Sequence, residues 1–133
     1  MGIQFGLLSL FIIEPIKPTK ILFMASLWVI FEWIRLFPLC GFTWNQVGIA
    51  LTVSHYSLQF ASLGGILWLS FWVILVNLAA LKAILDKSRK QLLIWGGLAL
   101  FPYLFGWVHQ TAIESKVPIT TKLEVVLVQT GLH

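Results

Sequence analysis

The chain has 133 residues, of which 59% are hydrophobic and only 11% charged, and it contains seven Trp and ten Phe. Soluble domains carry about 25% charged residues, so this composition excludes an ordinary water-soluble protein and favours one that is solvated by the bilayer. The net charge of +4 does not indicate a nucleic-acid binder, because the basic residues lie at the ends of apolar runs. Cys40 is the only cysteine, so the chain can form neither an intrachain disulfide nor a cysteine-based metal site.

The first predicted element is a partial membrane span at residues 2–13. At about 1.5 Å per residue, a dozen apolar residues cover roughly 18 Å, which is short of the ~30 Å hydrocarbon core. A signal peptide is disfavoured, because the run lacks a basic start and no small-residue cleavage site precedes Glu14 and Pro15. The two prolines and two lysines of residues 14–20 then predict a short polar turn.

The second element is a span at residues 21–37 that contains two charged residues, Glu32 and Arg35. Their spacing of three places them on one helix face, where they can pair. A charge inside the bilayer costs about 2.5–3.5 kcal/mol on insertion scales, which favours a functional pair at the mouth of a lipid-binding cavity. The alternative is a structural pair whose side chains extend to the interface, because Pro38 ends the helix one turn later.

Residues 38–56, the aromatic loop, are too rich in Gly and amide side chains for a spanning helix and too apolar for a solvated loop. They predict an interfacial or re-entrant segment. A long apolar run follows at residues 57–85, which can span with tilt or begin with an interfacial turn, since Gly64 and Gly65 lie near its start. The run ends at the charged residues 86–90.

The last predicted span covers residues 91–108, where Gly96 and Gly97 favour close helix approach and Pro102 favours a kink. Beyond it, residues 122–129 form a β-branched run that is typical of a buried strand in a soluble α/β domain. The expected fold is an all-α, multi-pass transmembrane helical bundle over residues 1–118, with three full spans and the partial N-terminal one. Residues 119–133 are expected to begin a second domain with a short C-terminal β-strand.

Basic residues are distributed unequally between the two sides of the predicted membrane domain. Six lie around the two polar turns, whereas two lie beyond the last span. An excess of Lys and Arg marks the cytoplasmic side, so the aromatic loop and the C-terminus are expected to be extracytoplasmic. The six are Lys17, Lys20, Lys82, Lys87, Arg89 and Lys90.

Two neighbouring motifs carry a resemblance to a known family. Residues 25–35 have the sequence Ala-Ser-Leu-Trp-Val-Ile-Phe-Glu-Trp-Ile-Arg, and residues 41–48 have Gly-Phe-Thr-Trp-Asn-Gln-Val-Gly. This pair resembles the apolipoprotein N-acyltransferase family, whose members carry a Trp, then Glu-Trp-Leu-Arg, and then Gly-Phe-Pro-Trp. Residues 126–129, Val-Leu-Val-Gln, also resemble the first strand of the family's nitrilase-like domain.

The resemblance implies an enzyme of the bacterial inner membrane that transfers an acyl chain from a membrane phospholipid to the N-terminal amine of a diacylated lipoprotein. In that family the reaction passes through a thioester on the Cys of a Glu-Lys-Cys triad, in an extracytoplasmic nitrilase-like domain. The triad is expected beyond residue 133, so the chain alone is expected to be an inactive fragment with no catalytic residue. No metal, cofactor or nucleic acid is expected as a partner.

The candidate substrate-binding residues are Glu32, Arg35, Phe42 and Trp44. The resemblance implies that Phe42 and Trp44 line the path by which acyl chains enter the active site. The alternative is that both belong to the aromatic belt of a membrane interface. Cys40 is expected to fill a small packing position, because its loop offers no Lys or Glu as a catalytic partner.

Two other functions remain open at this stage. The chain could be a membrane platform paired with a polyprenol-phosphate mannose synthase, which a downstream glycosyltransferase domain would identify. It could also be a non-enzymatic helical subunit of a transporter or export complex. That function predicts no soluble domain after His133, whereas the strand-like residues 122–129 favour one.

Overall fold

Helices are the regular elements of the computed structural model, which describes residues 17–37 and 46–115 together with Gly6 and Ser9. No strand occurs within these ranges. The predicted partial span, the strand at 122–129 and the second domain at 119–133 lie outside the described residues, apart from Gly6 and Ser9. The elements in chain order are α1 (Pro18–Ile34), a first 3₁₀ helix (Val47–Leu51), α2 (His55–Gln59), a second 3₁₀ helix (Phe60–Leu63), α3 (Gly65–Leu85) and α4 (Arg89–Glu114).

Helix α1 begins three residues before the predicted span and ends three residues before its predicted end. Pro18 occupies its first position, where a proline loses no hydrogen bond and its fixed φ suits the helix. A turn at residues 35–37 follows Ile34. With 17 residues, α1 covers about 25 Å. Its full crossing of a bilayer therefore stays a prediction.

The apolar run at 57–85 is divided near Gly64 and does not form one continuous helix, which excludes the first of its two alternatives, a single tilted span. Residues 55–63 form two short helices, and α3 begins only at Gly65. Gly65 has a φ of +68°, a left-handed conformation that costs other residues roughly 1–2 kcal/mol. The alternative of an interfacial turn before the span agrees with this break.

Helix α4 is longer than the predicted 91–108 and continues through Pro102. Proline has no N–H, so the carbonyl of Leu98 lacks the donor that a regular helix would supply four residues later. The indole N–H of Trp72, on α3, donates to this carbonyl at 3.1 Å. The hydrogen bond that Pro102 removes from α4 is thus replaced by one between two helices.

Helices α3 and α4 are long and apolar enough to cross a membrane by length and composition. Only 22% of the most apolar window of α3 and 11% of that of α4 is buried, whereas a core helix of a soluble protein would be mostly buried. Large side chains such as Leu93, 78% exposed, cover the outer faces. Such faces suit lipid rather than water as their surroundings.

Helix α3 runs antiparallel to both α1 and α4. It packs against each of them through a separate set of side chains. Between α1 and α3, the buried Ile21 and Ala25 contact Leu75, and Met24 and Trp28 form a second cluster. Between α3 and α4 the centre is Phe60, which is fully buried. Its ring centroid lies 5.0–5.7 Å from four others. These rings belong to Trp68, Trp72, Phe101 and Phe105.

Candidate functional site

The candidate site lies at the C-terminal end of α1, around the fully buried side chain of Glu32. Trp28 precedes it by four residues and therefore lies on the same helix face. The Trp28 indole N–H donates to Glu32 Oε1 at 2.9 Å. Trp28 is itself fully buried and belongs to the cluster that packs α1 against α3. The carboxylate is thus oriented by a side chain that the core holds in place.

The same carboxylate oxygen binds the chain again at Val47, within the aromatic loop. The backbone N–H of Val47, the first residue of the first 3₁₀ helix, donates to Glu32 Oε1 at 3.1 Å. The first N–H groups of a helix have no partner within it, so an outside acceptor is required when they are buried. Glu32 supplies that acceptor and fixes the distance between the end of α1 and residue 47.

The first 3₁₀ helix is also fixed to α3, at Gly48. The Gly48 N–H donates to Ser70 Oγ at 3.0 Å, and Ser70 is fully buried. A Cβ atom at position 48 would lie 2.6 Å from the Ile66 carbonyl oxygen and 2.7 Å from the Ser70 nitrogen. Only glycine permits this approach of two backbones. One short helix therefore joins α1, through Glu32, to α3, through Ser70.

Arg35 is the nearest cation to Glu32 among the described residues. Its Nη2 lies 3.9 Å from Glu32 Oε1, within ion-pair distance but beyond a hydrogen bond. Among the described residues, neither Glu32 Oε2 nor the Arg35 Nε and Nη2 atoms have a hydrogen-bond partner, although all three are buried. Unsatisfied buried polar atoms of this kind are uncommon in folded proteins. Within the described part of the chain, one acceptor atom and two donor atoms of the site are thus without a hydrogen-bond partner.

The structure brings together two of the four predicted site residues. Glu32 and Arg35 lie side by side, whereas Phe42 and Trp44 lie outside the described residues. Three contributors were missed: the Trp28 indole, the Val47 amide and the Ser70 hydroxyl. The spacing of four between Trp28 and Glu32 was a usable signal for the first. The other two depend on long-range packing.

The site is built from hydrogen-bonding groups: a carboxylate, an indole, a backbone amide and a guanidinium. Within the described ranges, no group of three or more His, Cys, Asp or Glu could hold a metal ion. A carboxylate and a guanidinium with available hydrogen-bond positions can bind a polar headgroup or a peptide amide. The fold and this site together define a helical membrane domain with a polar pair, a buried Glu32 and a partly buried Arg35, at one end of its first helix.

Comparison with known proteins shows which family this chain is similar to. Residues 1–79 match the family described as apolipoprotein N-acyltransferase N-terminal domain. The chain is 31% identical over 127 residues to an apolipoprotein N-acyltransferase of Chlamydia caviae. The aligned region covers 94% of this chain and 23% of that protein. It is 41% identical over 116 residues to the enzyme of Rickettsia prowazekii, covering 76% of this chain and 23% of that protein.

The family match spans more than half of the chain, so the chain belongs to the apolipoprotein N-acyltransferase family. This confirms the resemblance that residues 25–35 and 41–48 indicated. A protein of that name from Rhodopirellula baltica is 30% identical over 99 residues, covering 66% of this chain and 17% of that protein. The chain thus spans less than a quarter of the length of these relatives. No solved structure matches it.

Proposed function

We propose that this chain is the membrane part of an enzyme that transfers an acyl chain from a membrane phospholipid to the N-terminal amine of a diacylated lipoprotein. The family and the names of its relatives support acyl transfer onto apolipoproteins. The two apolar helices α3 and α4 support a location in a membrane, which we assign to the bacterial inner membrane.

The hydrogen bond between Glu32 Oε1 and the Val47 N–H is the observation that carries this proposal. It joins the two motifs of the family resemblance, since Glu32 belongs to residues 25–35 and Val47 to residues 41–48. The described chain on either side of residues 38–45 is therefore held in place, by a buried carboxylate on one side and a short helix on the other. We propose that this anchoring places Phe42 and Trp44 at a defined position on the membrane surface.

Within the proposed site, each of the four predicted residues has a distinct role. Glu32 is a positioning residue that holds the backbone of the aromatic loop at Val47. Arg35, with its two available nitrogen atoms, binds the phosphate or the ester oxygen of the phospholipid. Phe42 and Trp44 line the path of the acyl chain. All four act on binding, and none of them takes part in the bond-forming steps.

The catalytic step is assigned to a nitrilase-like domain that begins at residues 119–133. An acyl-thioester needs an activated thiolate with a base in hydrogen-bond reach, and we place both in that domain. The distribution of Lys and Arg supports an extracytoplasmic position for it. The three helices α1, α3 and α4 then deliver the aromatic loop and the C-terminus to the same side.

The test is an acyl-transfer assay on this chain extended by a nitrilase-like domain, reconstituted with phospholipid and a diacylated lipopeptide. The extended protein should form the triacylated product, and the 133-residue chain alone should form none. Product formed by the short chain and abolished by Cys40→Ala would contradict the assignment of catalysis to the second domain.

The role of Glu32 is tested in the same assay. Glu32→Gln keeps an oxygen acceptor but removes the charge, which weakens both hydrogen bonds, so we expect about a tenfold loss of turnover. The matched control is Glu114→Gln, because Glu114 is an exposed carboxylate at the C-terminal end of α4 and is not bonded to Glu32 or Val47. Equal activity of the two variants would overturn the positioning role.

A further inference from the structure

A second recess lies on the bundle about 20 Å from Glu32, near the start of α1. It is a groove of about 400 Å³ between α1, α3 and α4, a volume in the range of lipid and small-molecule sites. Its walls are almost wholly apolar. Ile21 and Leu22 come from α1, Leu75 and Ala79 from α3, and Ile94 and Leu98 from α4.

The groove has a polar mouth at one end and an apolar floor at the other. Lys82 and Gln91 lie at the mouth, each seven residues along its helix from Leu75 and Leu98 at the floor. Seven residues of helix correspond to about 10 Å, or a third of the ~30 Å hydrocarbon core. These dimensions suit the upper part of one acyl chain with its headgroup at the mouth.

The mouth is organised by Asp86, in the turn between α3 and α4. Its Oδ2 accepts hydrogen bonds from Lys82 Nζ at 2.6 Å and from Gln91 Nε2 at 2.8 Å. The Lys82 hydrogen bond, and then that of Gln91, lower the pKa of the Asp86 carboxyl below its usual value. The carboxylate therefore holds the two groove residues side by side at neutral pH.

The charge of this end of the bundle is strongly positive. Six basic residues lie here and, among the described residues, Asp86 is the single acidic one. An ammonium group has three N–H donors, and Asp86 accepts one hydrogen bond from Lys82. Two Lys82 donors thus remain for an anion at the groove mouth. Basic pockets between membrane helices are typical binding sites for anionic headgroups.

We propose that this groove binds one acyl chain of an anionic phospholipid, whose headgroup phosphate is bound by Lys82. The apolar walls exclude a free phosphate ion as the occupant, and the ammonium at the mouth favours an anionic lipid over an uncharged one. The site is separate from the acyl-transfer site proposed above, because it lies at the opposite end of α1. Its occupant is a bound membrane lipid and is not consumed.

The experiment counts lipids that the 133-residue chain retains in nanodiscs with equal parts of phosphatidylglycerol and phosphatidylcholine, measured by native mass spectrometry after gentle release. We expect one phosphatidylglycerol to be retained in preference. Lys82→Gln should weaken retention about fivefold, the change expected for one lysine near an anionic surface. Lys87→Gln is the matched control, because Lys87 is exposed and does not line the groove. It should change retention less than twofold.

A second variant separates the groove from surface charge. Ala79→Phe fills the groove but keeps every lysine, so it should abolish preferential retention in a chain that still shows native helix content by circular dichroism. Equal losses from Lys82→Gln and Lys87→Gln, or full retention by Ala79→Phe, would show diffuse attraction to the surface and overturn the proposal.

Photo-crosslinking identifies the occupant directly. Benzoyl-phenylalanine at position 94, which lines the groove, should give an adduct with phosphatidylglycerol, whereas the same group at Leu93, exposed and off the groove, should give no lipid preference. An adduct of position 94 with another segment of this chain or with a second copy would show that protein covers the groove, and would also overturn the proposal.

Discussion

At each end of the helical bundle, one carboxylate accepts hydrogen bonds from two donors. The two carboxylates differ in their exposure to solvent. Asp86 lies in an exposed turn and accepts hydrogen bonds from Lys82 and Gln91. Glu32 is fully buried and accepts them from Trp28 and Val47. Water can replace any partner of Asp86, but nothing replaces a partner of Glu32. The same number of hydrogen bonds therefore has a larger effect on stability at the Glu32 end.

Removing each carboxylate in turn should give the largest contrast between the two ends. Glu32→Ala removes the acceptor of one buried and one partly buried donor, at roughly 1–3 kcal/mol for each, so we expect the free energy of unfolding to fall by about 2–6 kcal/mol. Asp86→Ala should lower it far less, because water solvates the groups that remain. Thermal unfolding of both variants in detergent measures the difference. Equal midpoints would show that burial of Glu32 has no energetic effect.

The close approach at Gly48 supports the Glu32 end and should come next in size. Gly48→Ala places a methyl group against the backbone of α3, and we expect a loss of about 1–3 kcal/mol of stability. Gly97→Ala is the control, because a Cβ atom there would meet nothing in the described structure within 4 Å beyond the adjacent backbone of its own helix. That change should be neutral or stabilising, since alanine favours helix. A Gly48→Ala protein with unchanged stability would contradict the backbone contact.

The glycines also show what could be predicted from the sequence. The pair Gly96 and Gly97 was expected to mediate close helix approach, and this was wrong within the described structure, since both face open space. Gly106 does so instead: a Cβ atom there would overlap the Tyr56 carbonyl oxygen of α2. The small size of a glycine is visible in the sequence. Whether a glycine contacts another element depends on the tertiary structure. Gly106 packs on α2, a short helix that hydropathy alone does not separate from the following span.

The candidate site was predictable to the extent that it is local. Glu32 and Arg35 lie three residues apart, so helical geometry alone places them together. The Val47 amide is fifteen residues from Glu32, and the Ser70 hydroxyl is twenty-two residues from Gly48. Sequence periodicity does not predict contacts between residues so far apart. The break at Gly65 was only partly predictable. Two adjacent glycines indicate a turn, but they do not show whether the helix continues through it.

A double-mutant cycle sharpens the description of the Glu32 end. The 3.9 Å separation of Arg35 Nη2 and Glu32 Oε1 indicates a direct but weak coupling, so Glu32→Gln with Arg35→Met should destabilise by about 0.5–1 kcal/mol less than the sum of the single changes. Unfolding midpoints of the four proteins measure this coupling. Strictly additive changes would show that the two residues do not interact, and that Arg35 is available entirely for a ligand.

The smallest expected effect is the pH dependence of the Asp86 end. Hydrogen bonds from Lys82 and then Gln91 hold the pKa of Asp86 below its usual value in the folded chain. A depressed pKa stabilises the fold above the unfolded-state value, and this stabilisation is lost as the pH falls through the folded-state value.

The unfolding midpoint of the native chain should therefore exceed that of Asp86→Asn slightly at neutral pH. The difference should shrink towards zero below the usual pKa of an aspartate. A difference that stays constant from neutral to acidic pH would show that the carboxylate charge does not contribute, and that the two hydrogen bonds act as they would to a neutral amide.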